Sequence, residues 1–150
     1  MLTHKDWAEG IKAIADLPAE DRIEAVSQLR ELLAKADAAH SASISRWHIH
    51  QGLALLAQLE CAGGAGLRAA ELYERAAREA HADYRSAKLS AAWSFAEAAL
   101  LRFEVGESGK GLELATEALS LAEPHLDPSA TYERLVAEVR RAREAEARGA

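Results

Sequence analysis

Apolar residues in this chain recur at spacings of three and four between well-placed breakers, and no stretch alternates in the way a half-buried strand does. That pattern restricts the chain to amphipathic helices. Thr3 can cap a first helix with Trp7, Ile11 and Ile14 inward. Pro18 ends it and starts a second, which carries Ile23, Val26, Leu29 or Arg30, and Leu33 and runs to about His40. Ser41 or Ser43 caps a third, apolar on most sides through Ile44, Trp47, Ile49, Leu53, Leu55, Leu56 and Leu59. The run Gly63-Gly64-Ala65-Gly66 breaks it.

The fourth segment buries Ala69, Leu72, Tyr73, Ala76 and Ala80, and pairs Glu71 with Arg75 and Glu74 with Arg78 outside. Asp83 caps the fifth, striped by Tyr84, Ala87, Ala91, Phe95 and Ala98, with Ala92, Trp93, Ala96, Leu100 and Phe103 beside them. Gly106 stops it, and Ser108 opens a sixth with Leu112, Ala115, Ala118, Leu119 and Ala122 inward. Asp127-Pro128 starts a seventh, with Tyr132, Leu135, Val136, Val139 and Ala142, which turns charged from Arg140 onward.

Composition agrees. Only 5% of the 150 residues are aromatic, and much of the 49% hydrophobic content is alanine, the strongest helix former. The length suits a single domain over 1–150 that needs no disulfide or metal to fold. Net charge is −6 with no basic block, which disfavours nucleic acid, since that binding rests on clustered Lys and Arg. No apolar run can span a bilayer, the N-terminus lacks a signal core, and Cys61 is the only cysteine. A soluble, cytoplasmic protein, with an Ala/Arg/Glu-rich bacterial character, is the expectation.

The segments also pair. Trp7, Trp47 and Trp93 mark the first, third and fifth, 40 and 46 residues apart. His40, His81 and His125 close the even-numbered ones, 41 and 44 apart, where imidazolium complements a helix C-terminus. Hairpins of this period mean stacked helical repeats. Over residues 43–125 the chain resembles the tetratricopeptide repeats, through Leu53, Leu56 and Ala57, then Ala69, Tyr73 and Ala76. The next hairpin answers with Phe95, Ala98 and Ala99, then Gly106, Gly111, Ala115 and Ala118, ending near Pro124. Ala69 and Gly111 lie 42 apart against the family's roughly 34, and Glu60 and Arg102 stand where an aromatic is common.

The resemblance implies an all-α, right-handed stack of antiparallel hairpins, an α-solenoid of about seven helices closed by a C-terminal capping helix. It implies a groove lined by the first helix of each pair. By position this groove takes His50, Gln51, Ala54, Leu55 and Gln58, then Trp93, Glu97, Leu100, Phe103 and Glu104. An apolar floor with acidic edges suits an amphipathic or basic segment. The competing reading is that Trp93, Leu100 and Phe103 pack against the capping helix instead.

No residue set demands a chemistry. His48 and His50 sit about 200° apart on a helix and cannot share an ion. Asp37 and His40 form a lone pair, short of a di-iron set. The glycine run follows a helix and leads into Leu67-Arg68, unlike a phosphate loop. Cys61 lacks a neighbouring base, and Arg140, Arg141 and Arg143 alternate with Glu138, Glu144 and Glu146. The expected function is therefore a noncatalytic adaptor or chaperone-like module that takes a peptide or partner helix, with no cofactor. Two alternatives stay open: a small-molecule or metal site using His48, His50, Cys61 or Arg46, and self-association as a homodimer through the second or seventh helix.

Overall fold

A computed structural model describes residues 2–39, 44–80, 85–122 and 129–149. The described residues form α1 (His4–Ala15), a 3-10 turn (Ala19–Asp21), α2 (Arg22–Ala39), α3 (Arg46–Ala62), α4 (Gly66–Ala80), α5 (Arg85–Glu104), α6 (Ser108–Leu121) and α7 (Ala130–Gly149). There is no strand among them. The expected Ser41, Ser43, Asp83 and Asp127-Pro128 caps lie outside the described residues, as do His40, His81 and His125.

Local chemistry explains the described helix ends. At α1, the Asp6 backbone N–H donates to Thr3 Oγ1 while the Thr3 N–H donates to Asp6 Oδ2, both at 3.1 Å. At α3 the cap residue is Ser45 rather than the expected Ser41 or Ser43, and its N–H donates to His48 Nδ1 at 3.0 Å. A neutral imidazole there does the work of the usual glutamate.

The turns that end α3 and α5 repeat one geometry. The Ala65 N–H returns to the Glu60 carbonyl at 3.0 Å, and the Glu107 N–H to the Arg102 carbonyl at 2.9 Å. Gly64 at φ 83° and Gly106 at φ 85° supply the left-handed residue that such closures require. Matching atoms of the two turns are 42 residues apart, the spacing that also separates Ala69 from Gly111.

Two buried clusters meet across α3 and α4. One joins Trp7, Ile14, Leu29, Leu33, Ile49, Leu53 and Leu56 from α1, α2 and α3. The other is largely alanine, from Ala69 and Ala77 through Ala92, Ala96 and Ala99 to Ala115 and Ala118, around Tyr73, Phe95, Leu114 and Leu135. Neighbouring backbones run close together from α3 to α6, and α7 settles mainly on α5. Ala54 and Leu72 touch both clusters.

Several inward assignments differ from expectation. Ile23 is 79% exposed, Arg30 is exposed and Val26 only half-buried; beside the expected Leu29 and Leu33, α2 buries Ala25 and Ala36. Leu114 is fully buried on α6, and Val136 faces outward from α7. Arg75 pairs with Asp37 of α2 at 3.1 Å rather than with Glu71, whereas Glu74 and Arg78 pair as anticipated. Glu60, in a place where the resembled family often carries an aromatic, is a buried carboxylate. It is held by Arg30 of α2 at 2.5 Å and Arg68 of α4 at 3.6 Å, so it ties three helices together.

Candidate functional site

The helical period places Trp93, Glu97, Leu100 and Glu104 along one side of α5. Trp93 is half-buried and meets Tyr73 of α4 edge-on, with centroids 5.7 Å apart. One turn on, the half-buried Glu97 accepts a hydrogen bond from Thr131 Oγ1 of α7 at 3.2 Å. Burial raises the Glu97 pKa, against smaller opposing effects of that hydrogen bond and of Arg134. Burial also pushes the Tyr73 phenol up, reinforced by the nearby charges of Glu97 and Cys61. Tyr73, Trp93 and Glu97 thus form a semi-apolar shelf beside the start of α7.

Further along, Leu100, Phe103 and Glu104 face Arg134, Glu138 and Arg141 of α7 across a cleft of about 270 Å³. Leu100 is buried, Phe103 half-buried and Glu104 exposed. Phe103 is fixed by Gly111 of α6, where a Cβ would come within 2.8 Å of the ring. The rim is therefore mixed in charge rather than acidic, because α7 contributes two arginines to it.

The α3 residues divide differently. Gln51 and Gln58 are exposed, one above the other, on the outer side of α3. Leu55 turns toward α1 and α2 and lines a separate pocket there. His50 is only 5% exposed, and its ring Nδ1 lies 2.8 Å from the Ala76 carbonyl, to which it donates. The Trp47 ring lies 5.3 Å from it, and burial holds its pKa below 6.5. His50 sits inside the α3–α4 contact, apart from the α5 residues.

The residues of the metal or small-molecule alternative are dispersed. His48 caps α3 and meets His4 edge-on at 4.8 Å. Arg46 donates to the Arg78 carbonyl and pairs with Glu79, while Cys61 is exposed toward the far end of α3. Among the described residues no three His, Cys, Asp or Glu side chains are grouped to hold a metal ion. No described helix is long and apolar enough to cross a membrane.

Thr131, Arg134, Glu138 and Arg141 escaped the sequence reading, although their spacing of three, four and three marks one face of α7. Their signal was masked because a run of alternating charges reads equally well as a solvated surface. The chain matches no protein-family model, no curated protein and no solved structure with significance.

Proposed function

We propose that this chain is a noncatalytic binding module, adaptor-like or chaperone-like, built as a short tetratricopeptide-like stack and engaging a peptide or helix of a protein partner along the α5–α7 surface. The observation that carries this reading is the cleft itself. Although α7 rests on α5, Leu100, Phe103 and Glu104 still open onto a concavity, beside the Trp93–Tyr73 shelf. Aromatic anchors beside fixed charges of both signs are the usual makings of a recognition surface. The repeated turn geometry at Gly64 and Gly106 supports the stacked-hairpin reading.

Capture from the native host by tagged wild-type protein tests it. Glu104→Lys, on an exposed side chain, and Trp93→Ala should each lose a partner that wild-type protein retains, with helical content unchanged. Retention of that partner by both variants would place the binding surface elsewhere.

Self-association has one observation in its favour. Leu119, Val136, Val139 and Ala147 line a shallow groove of about 510 Å³ on the outer side of α6 and α7, and Val136 is exposed there. Light scattering separates the cases, since a homodimer at micromolar concentration that Val136→Glu disperses would favour this second reading.

A further inference from the structure

A pocket of about 350 Å³ lies at the other end of the molecule, between α1, the 3-10 turn, α2 and α3. Its wall is apolar, made by Ile14, Leu17, Ala25, Leu55 and Leu59, and its one charged lining residue is Arg22. Arg22 is half-buried at the first position of α2. Its guanidinium Nη1 lies against the backbone of Gly63, in the place a Cβ on that residue would take. Among the described residues it makes no ion pair and no hydrogen bond, unlike Arg30, Arg46, Arg68, Arg75 and Arg78. The acidic residues just before it, Glu20 and Asp21, are exposed and do not engage it.

Small-molecule sites are mostly apolar concavities in which a few polar groups fix the orientation. A guanidinium is the side chain best matched to a carboxylate, which it binds through two parallel N–H donors. At roughly 30 Å³ per group, the share of a water molecule in the liquid, the pocket holds on the order of ten non-hydrogen atoms. We infer that this pocket binds a small monocarboxylate with an apolar body, its tail among Ile14, Leu17, Leu55 and Leu59 and its carboxylate on Arg22. This site is separate from the α5–α7 surface and does not depend on it.

Titration of the full chain with octanoate, followed by amide NMR shifts at neutral pH and low salt, is the test. Shifts should centre on residues 14–25 and 55–63. Arg22→Gln should weaken binding roughly tenfold, the usual loss of a charge-assisted hydrogen bond. With wild-type protein, 1-octanol, which has the same tail and no carboxylate, should bind more weakly by a similar factor. Gly63→Ala should also weaken octanoate. Its backbone accepts alanine at φ −84°, but the new Cβ displaces the guanidinium. Equal affinity for octanoate and 1-octanol, equal affinity of wild type and Arg22→Gln, shifts centred elsewhere, or none up to about 10 mM would overturn the assignment.

Discussion

The two ends of the molecule solve the packing problem differently. Around α1, α2 and α3, long side chains fill the space between helices: Trp7, Ile14, Leu29, Leu33, Leu53 and Leu56. From α4 to α6, alanine dominates, and the backbones themselves come close. A core of large side chains gains more from each residue through transfer and dispersion, and it leaves irregular gaps such as the pocket under Arg22. An alanine seam leaves little to remove and no room to add. It makes a firm platform from which Trp93, Leu100 and Phe103 can project.

Substitutions that reverse the size of a side chain should therefore be costly in both regions, but for opposite reasons. Leu29→Ala, at a fully buried site, is expected to lose about 2–5 kcal/mol in urea unfolding through the cavity it leaves. Ala96→Leu, also fully buried, should cost about 1–3 kcal/mol by overpacking against α4 and α6. If Ala96→Leu were neutral, or if Leu29→Ala cost no more than a surface change, the contrast would collapse.

Two glycines sharpen the comparison, because each touches one aromatic in its own region. A Cβ on Gly52 would stand 2.8 Å from the Trp7 ring and 2.9 Å from Leu33, and one on Gly111 would stand 2.8 Å from Phe103. Helix propensity alone favours alanine by about 1 kcal/mol, so a net loss from either change measures the clash. Both variants should be destabilised, Gly52→Ala more so, since Trp7 and Leu33 are both buried while Phe103 is only half-buried. Thermal melts that show Gly52→Ala at or above wild-type stability would mean the α1–α3 contact is loose.

The regions should also respond to pH with opposite sign. Burial depresses the His50 pKa, and burial together with His4 depresses that of His48. Their neutral forms are favoured in the fold, so their contribution is complete above the unfolded value of 6.5 and is lost as pH falls through the depressed values. Protonated His48 also loses the lone pair that accepts the Ser45 N–H. Glu97 behaves in reverse. Its pKa is raised above the ordinary 4.5, so its contribution is present below that value and declines as pH rises through the raised one. Urea midpoints of His50→Gln and Glu97→Gln, measured between pH about 4 and 8, should flatten opposite limbs of the stability profile.

The smallest effect is expected at Ser94. It is fully buried in the alanine seam, and its hydroxyl has no hydrogen-bond partner among the described residues. Ser94→Ala should leave stability within about 0.5 kcal/mol of wild type or raise it slightly. A clear loss would point to a hydrogen bond made by that hydroxyl.

Legibility in the sequence followed the same divide. Helix existence could be read throughout, because Pro18, the 63–66 run and Gly106 punctuate the chain unambiguously. Helix faces were harder to read wherever alanine served as both core and surface. On α2 the large Ile23 drew the inward stripe toward itself, while the true stripe rests on Ala25 and Ala36. Pairings between helices, such as Asp37 with Arg75 or Glu60 with Arg30 and Arg68, depend on which elements become neighbours. No spacing within one helix encodes that. Of the residues expected to bind a partner, those on α5 share one side of their helix. His50 and Leu55 are drawn into other contacts by packing on the far sides of α3.

Hydrogen exchange of the proposed complex, captured from the host and compared with the free chain, addresses the proposed binding surface most directly. Added protection is expected in α5 from Trp93 to Glu104 and in the facing turns of α7, with α1 and α2 unchanged, and it should be lost in Glu104→Lys. Protection confined to α1 and α2, or an undiminished footprint in Glu104→Lys, would contradict the proposed surface.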